Sequence, residues 1–338
     1  MKKILLITLS NIGDVILTTP VIAALKDQFP ASQLTVVCGL RARDLLSGSQ
    51  MIHELVIYDK HAPMPEQLRF ILKLRKTSYD LVVDLRHTAI PYLVSAKKRS
   101  PFFRMAYPFL MREKHLEVLR RMGLSASFRQ GFDFYHPEDE KSVLEKIKSK
   151  GILSSSWILA APAAASGLKT WRLSGFREVI GRLLADYGET VLLAGDERER
   201  KLIESLTEID PKKVVNVAGE TSLRELAALV DRALLLITND SAVMHLGYEL
   251  GRPVAAVFGP THHEKYGRAG PHFRTVRLPI PCSPCELPRC RFRRQVCFED
   301  LTSDQVYQSC RELLAKTAEN FPKAEIKGNL KGSGYEIK

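Results

Sequence analysis

A chain of 338 residues, 45% hydrophobic and 26% charged, has the size and make-up of a globular protein with two domains rather than one. No run of about 18 apolar residues occurs, so no transmembrane helix is expected. The formal charge of +12 points to an anionic partner: nucleic acid, an acidic membrane surface or a phosphorylated substrate.

The chain starts with an apolar run, Ile4 to Ile7, that Ser10, Asn11 and Asp14 interrupt. No small-residue cleavage site follows, and the start reads as the first strand of a cytosolic protein. Strands are predicted at Lys3–Thr8, Leu34–Cys38, Glu54–Tyr58 and Leu81–Leu85, with helices at Val15–Gln28, Arg41–Ser47 and Glu66–Lys76. Ala96–Gly123 reads as helical and basic. His136 to Gly151 is polar, contains a charged helix and carries the domain junction. Strands then recur at Trp157–Ala161, Thr190–Ala194, Val214–Val217, Leu234–Thr238 and Val254–Phe258. Helices are predicted at Ser174–Asp186, Arg198–Glu208, Ser222–Asp231 and Ser241–Leu250, and a last one at Ser303–Phe321. Ser222 and Glu225 form a capping box.

Consecutive Val, Leu and Ile in the strands call for burial on both faces, hence parallel sheets. The expectation is an α/β fold: two Rossmann-like, doubly wound parallel-sheet domains facing a cleft. Residues 1–150 form the first, residues 151–322 the second with its final helix, and residues 323–338 a polar tail.

Four stretches at strand ends are candidates for chemistry. Ser10-Asn11-Ile12-Gly13-Asp14 joins a strand to a helix, where open α/β sheets bind ligands, yet it lacks the glycine fingerprint of a dinucleotide or phosphate loop. Pro162 to Trp171 follows a second strand and carries Lys169, which could balance phosphate charge. Asn239-Asp240-Ser241 turns a buried strand into a helix bearing His245; the N–H groups of Ser241, Ala242 and Val243 there can bind an anion such as a pyrophosphate. Gly195-Asp196-Glu197 ends another strand, with a carboxylate suited to ribose hydroxyls. Helix caps are the plainer reading of Asp14, Asp196, Asp240 and Ser241.

LSNIGDVILTTPVIAALKDQFP, the Lys169-Thr170-Trp171 element and NDSAVMHLGYELGRPVAAVFGPT together resemble the ADP-heptose:lipopolysaccharide heptosyltransferases, the ninth glycosyltransferase family. The resemblance spans nearly the whole chain. It implies a GT-B architecture, with a lipid-linked acceptor on the N-terminal domain and a nucleotide sugar on the C-terminal one. It places Asp14 on the catalytic base, Lys169 on the phosphate-contacting lysine, and Asp240, Ser241, Ala242 and His245 on the donor loop. Glu197 and Thr221 fall near nucleotide contacts. The family's Asp-Thr-Gly is here Asp240-Ser241-Ala242, which adds a methyl group where backbone approaches ligand.

Asp14 in a first helical turn would stay ionised and take the proton of an attacking hydroxyl. Gly13 would let the loop turn sharply beside it. Lys169 and the helix start at Ser241 would stabilise the leaving diphosphate. One base opposite one leaving group suits a single displacement with inversion. Asn11, Gly13, Arg86 and His87 would meet the acceptor.

Between Ala96 and Arg129 nine basic residues face Glu113 and Glu117, a local excess of nine minus two, or +7. Lys97, Lys98, Arg99 and Arg104 lie among Phe102, Phe103, Met105, Tyr107, Phe109 and Leu110. Such a surface can grip a phosphorylated lipid A–core acceptor or an anionic membrane. Cys282, Cys285, Cys290 and Cys297 have the spacing C-x2-C-x4-C-x6-C and could hold zinc or an iron–sulfur cluster structurally, with nearby arginines lowering the thiol pKa. The transfer itself needs no cofactor.

The leading expectation is an inverting transferase moving heptose from ADP-heptose to the lipopolysaccharide inner core. It would work in the cytoplasm at the inner face of the cytoplasmic membrane, with no nucleic-acid partner. Its rivals are a transferase using another nucleotide sugar and a non-enzymatic module binding membrane or nucleic acid. A nucleotide-sugar epimerase or dehydrogenase would need the glycine fingerprint that LSNIGDV lacks.

Overall fold

The computed structural model describes residues 1–102 and 110–320. The chain separates into two compact units, one ending at Phe134 and one beginning at Tyr135. Arg104, the aromatic residues between Phe103 and Phe109, Phe321 and the tail at 323–338 lie outside the described residues.

The first unit runs β1 (Lys3–Ile7), α1 (Ile12–Ile16), α2 (Thr19–Gln28), β2 (Gln33–Cys38), α3 (Arg43–Leu46), β3 (Glu54–Ile57), α4 (Met64–Arg75), β4 (Tyr79–Asp84), α5 (Ile90–Leu93), β5 (Ala96–Arg99) and α6 (Met111–Arg121). Its five strands lie in the order β3-β2-β1-β4-β5, and every pairing is parallel. Ile4, Leu5 and Leu6 of β1 have no exposed surface, as the central position of their strand requires. Chain order reverses between β1 and β4, and Ile7 stands beside Asp84 there.

Two sequence expectations change here. The helix foreseen at Val15–Gln28 divides, because Pro20 in the first turn of α2 lacks an N–H and its ring clashes with the carbonyl four residues back. Thr18 and Thr19 instead donate their hydroxyls to the carbonyls of Val15 and Ile16, at 2.7 and 2.8 Å. Ala96–Arg99 is not helix but the edge strand β5, and regular helix resumes at Met111.

The second unit runs α7 (Pro137–Ser149), β6 (Trp157–Ala161), α8 (Leu173–Tyr187), β7 (Val191–Leu193), α9 (Glu197–Ile203), β8 (Val214–Asn216), α10 (Leu223–Asp231), β9 (Ala233–Asn239), α11 (Ala242–Glu249), β10 (Val254–Phe258), α12 (His263–Tyr266), β11 (Phe273–Arg277), α13 (Val296–Glu299) and α14 (Ser303–Asn320). Its six strands are ordered β11-β10-β9-β6-β7-β8, again with parallel pairings. Chain order reverses between β6 and β9. Trp171, Phe176, Ile237, Val257, Phe298 and Leu301 belong to one core on a single face of this sheet, with α8 and α14 packed on it.

The charged helix α7 packs on α10 within this unit. Ion pairs hold it: Arg224 to Asp139 at 3.0 Å, Lys146 to Glu225 at 2.7 Å and Arg232 to Glu140 at 2.6 Å. Ser222 caps α10 with Glu225 reciprocating, as the sequence signature requires.

Candidate active site

The carboxyl ends of β6 and β9 carry a buried polar network. β9 ends in Thr238-Asn239, and neither side chain has exposed surface. Asn239 spends both ends of its amide on the loop after β6: its Nδ2 donates to the Pro162 carbonyl at 2.8 Å, and its Oδ1 accepts from the Trp171 N–H at 2.9 Å. One buried side chain thus ties both ends of the segment that carries Lys169. From the other side Gln295 donates to the Leu168 carbonyl at 2.6 Å, and the Trp171 indole N–H donates to the Phe298 carbonyl at 3.1 Å.

So held, the Lys169 ammonium lies 2.8 Å from Asp240 Oδ2. Asp240 is buried, and an isolated carboxylate there would be costly. Lys169 is about one-third exposed and keeps N–H groups for a second anion. Tyr266 of α12 sets its ring 5.8 Å from the Lys169 ammonium and 6.2 Å from the His245 ring.

Asp240 and Ser241 divide the roles that sequence left open. Ser241 is the cap: its Oγ accepts the Met244 N–H at 3.5 Å and lies 3.0 Å from Thr238 Oγ1. Asp240 is the partner of Lys169. The partly exposed Ala242 begins α11, where helical N–H groups have no intrahelical acceptor. His245 is buried one turn on.

Glu197 and Thr221 lie at the ends of β7 and β8, on the far side of β6 from Asp240. Asp196, not Glu197, caps α9, accepting from the N–H groups of Arg198 and Glu199 at 2.9 and 3.1 Å. Glu197 is therefore exposed and uninvolved in the cap. Gly219 has a left-handed φ of +75°, and a Cβ on it would stand 2.9 Å from Glu197 Cα. The two loops touch because that position carries no side chain.

In the first unit, Asp14 lies in the first turn of α1 and is half-buried. It is not a cap: Asn11 holds the N-cap position and donates its amide to Asp14 Oδ2 at 2.9 Å. Gly13 sits inside the helix without positive φ, so the sharp turn expected of it is not its role. The close approach falls instead at Gly39 after β2, where a Cβ would stand 2.9 Å from Ser10 Cα.

Arg86 and His87 follow β4 across the point where strand order reverses. Buried Asp84 builds their turn, accepting the N–H groups of Arg86 and Thr88. His87 has a left-handed φ of 56°, and the Arg86 guanidinium lies 5.7 Å from the Tyr58 ring. Behind them His115 of α6 is buried, and its imidazole is pushed down to about 4, by burial first and then by the charges of Lys114 and His87.

The other basic candidates go elsewhere. Lys97 pairs with Asp80 at 2.8 Å. Asp80 also accepts the Lys3 N–H, at the amino end of β1 and β4, the opposite edge from Asp14. Lys98 donates to the Met122 carbonyl, and Arg99 to those of Pro91 and Val94. On α6, Arg112, Arg120 and Arg121 pair with Glu113 and Glu117. The basic stretch is thus largely braced within its own fold.

Cys282, Cys285, Cys290 and Cys297 line one cavity of about 270 Å³, with Leu168 and Pro260 in its wall. The soft thiols are the right donors for zinc or iron. Yet among the described residues no group of three or more metal-binding side chains stands together so as to hold an ion. Nor do arginines lower the buried thiol: Cys297 is pushed up, by burial above all.

Asn239, Gln295, Tyr266 and Asp84 were not singled out by sequence. Asn239 alone had a signal, an amide closing an otherwise apolar strand.

Residues 67–295 match the model of glycosyltransferase family 9 (heptosyltransferase). The chain is 28% identical over 280 residues to lipopolysaccharide heptosyltransferase 3 of Escherichia coli, covering 74% of this chain and 82% of that one. Among solved structures, a family 9 glycosyltransferase from Veillonella parvula matches with a TM-score of 0.77 at 22% identity, over 93% of this chain and 97% of that one. The E. coli ADP-heptose lps heptosyltransferase II matches with a TM-score of 0.74 at 20% identity, over 93% and 99%. The fold they share is GT-B, built from two Rossmann-like parallel-sheet domains, and the chain belongs to glycosyltransferase family 9.

Proposed function

We propose that this glycosyltransferase moves heptose from ADP-heptose to the inner core of lipopolysaccharide, with inversion at the anomeric carbon. The acceptor oxygen attacks that carbon while Asp14 takes the hydroxyl proton. The bond from the anomeric carbon to the β-phosphate oxygen breaks, and ADP leaves with the electron pair. Lys169 and the first N–H groups of α11 stabilise the charge on the diphosphate. Glu197 and Thr221 face the nucleoside, with His245 and Asp240 supporting the loop. Asn11, Arg86 and His87 orient the acceptor beside Asp14, and Gly13 leaves room for it. No divalent metal and no cofactor is needed.

The observation that carries the reading is the Lys169–Asp240 pair at 2.8 Å, set where strand order reverses and beside the start of α11. A cation fixed there meets a diphosphate without having to be ordered first. The E. coli relatives are named for lipopolysaccharide and ADP-heptose, which supports the same donor and acceptor class here. A phosphorylated lipid acceptor places the work at the inner face of the cytoplasmic membrane. No described helix is long and apolar enough to cross a membrane.

The test is a donor screen on heptose-deficient lipopolysaccharide in the presence of a chelator. The expected result is consumption of ADP-heptose with a mass gain of one heptose. Transfer from a UDP-sugar alone, or a strict need for a divalent ion, overturns the assignment.

A further inference from the structure

Among the described residues the basic stretch around α6 is largely paired internally, which leaves open where the chain meets an anionic surface. A different element is uncovered. α4 buries only Leu74 fully, with Phe70 and Ile71 packed against the core of the first unit. On its outer side Met64, Leu68 and Leu72 stand 77%, 59% and 50% exposed. Their i, i+4, i+8 spacing makes them one apolar stripe. Leu72 has Arg69 at i−3, Arg75 at i+3 and Lys76 at i+4, which places all three cations around the C-terminal end of the stripe. All three are exposed, and none has a side-chain partner among the described residues. α5, packed beside α4, exposes Tyr92 and Leu93.

We propose that α4 is a membrane-docking helix. Met64, Leu68 and Leu72 enter the acyl boundary of a bilayer, and Arg69, Arg75 and Lys76 engage anionic headgroups. The helix is about 18 Å long and lies in the interface plane. Charge chooses the occupant. A second copy on the same face would set Arg69, Arg75 and Lys76 against their own counterparts, in a chain of net charge +12. An anionic lipid surface complements both the stripe and its cationic rim. The proposal deepens the reading of a lipid-linked acceptor and rests on it for its purpose, but not for its test.

That test is co-sedimentation of the full chain with vesicles, without donor or acceptor. The chain is expected to sediment with phosphatidylglycerol–phosphatidylcholine vesicles, less so as salt rises, and not with phosphatidylcholine alone. Leu68→Ser with Leu72→Ser weakens binding about tenfold or more. Arg69→Gln with Arg75→Gln also weakens it and flattens its salt dependence. Both pairs keep the wild-type unfolding midpoint, because the side chains are exposed. Failure of the wild type to bind anionic vesicles, or wild-type binding by both variants, overturns the proposal. So does a chain dimer, seen by light scattering and lost in the serine variant, without vesicle binding. A chain that binds vesicles through α4 yet transfers no heptose leaves docking standing and removes the proposed function.

Discussion

The two strand-end rims are built in opposite ways. At the β6/β9 rim the candidate groups are held by partners, with Asn239 and Asp240 buried: Asn239 holds both ends of a loop, Asp240 holds Lys169, and Ser241 holds a helix. At the β1/β4 rim the candidate carboxylate, Asp14, is half-buried and accepts a hydrogen bond from Asn11. The contrast matches the two halves of a glycosyl transfer. A diphosphate is best met by charges fixed in advance, because reorganising them would add to the barrier. A base must keep an oxygen open to receive a proton.

The largest effect therefore belongs to the open carboxylate. Asp14→Ala should lower transfer by about 10²- to 10⁴-fold and leave ADP-heptose affinity within about twofold, since base catalysis has that range. Product formation and calorimetric donor binding are compared. Loss of donor binding in parallel would show that Asp14 does not divide from the donor rim in this way.

The converse holds for Asn239. Asn239→Leu leaves the Pro162 carbonyl and the Trp171 N–H buried without their partner. At about 1–3 kcal/mol for each orphaned group, unfolding free energy should fall by about 2–6 kcal/mol. Donor affinity should fall with it, because Lys169 loses its fixed place. A stable variant with wild-type affinity in urea unfolding and calorimetry would mean that the rim is not organised through this amide.

How much of this was legible in sequence follows the same division. Strands such as β6 and β10, apolar throughout and buried on both faces, announce themselves, and both were bounded correctly as Trp157–Ala161 and Val254–Phe258. The capping box at Ser222 was equally plain. Edge strands were not. Ala-Lys-Lys-Arg in β5 has the cationic pattern that protects a sheet edge, and it reads as a solvated helix face. Asp14, Lys169 and Asp240 stood out as candidates because each follows a strand end, and the structure brings Lys169 and Asp240 together at 2.8 Å. The site was illegible where a side chain acts through distant backbone. Asn239 meets Pro162 and Trp171 across 77 and 68 positions, and no local spacing records that.

Behind the open rim, His115 gives a pH-dependent difference between the units. Its folded imidazole is depressed to about 4 against 6.5 for the ordinary group. Above pH 6.5 it is neutral in both states. Between 6.5 and 4 the unfolded chain binds a proton that the folded chain refuses, so stability falls as pH falls, by up to about 1.4 kcal/mol per unit from this group. His115→Leu should flatten the decline between pH 7 and 5 by about 2 kcal/mol in urea unfolding. An unchanged slope would place the acid sensitivity elsewhere.

The Lys169–Asp240 pair should show a smaller coupling, because the lysine side is partly exposed and screened. Lys169→Met leaves Asp240 buried without its cation, and about 1–2 kcal/mol of stability should be lost. Adding Asp240→Asn should return most of it, while donor binding stays weak in the double variant. A cycle with no coupling in stability would mean that the buried carboxylate is satisfied by other groups.

The smallest expected effect separates capping from binding within one unit. Ser222 and Ser241 are both N-caps, but Ser222 Oγ accepts the Glu225 N–H at 3.1 Å inside a reciprocal box, and Ser241 Oγ accepts the Met244 N–H at 3.5 Å with no box. Ser222→Ala should cost about 1 kcal/mol of stability and leave donor affinity alone. Ser241→Ala should cost less than about half of that, because its cap bond is long and Thr238 Oγ1 keeps the Asn239 carbonyl at 3.0 Å as a partner. Yet its hydroxyl stands at the start of α11, where the diphosphate is proposed to bind. Losing one hydrogen bond there should weaken ADP-heptose by about three- to tenfold. The two alanine variants thus invert their order between a denaturation curve and a binding isotherm. If they keep the same order in both, Ser241 is a cap and nothing more, and the donor diphosphate is not held at the start of α11.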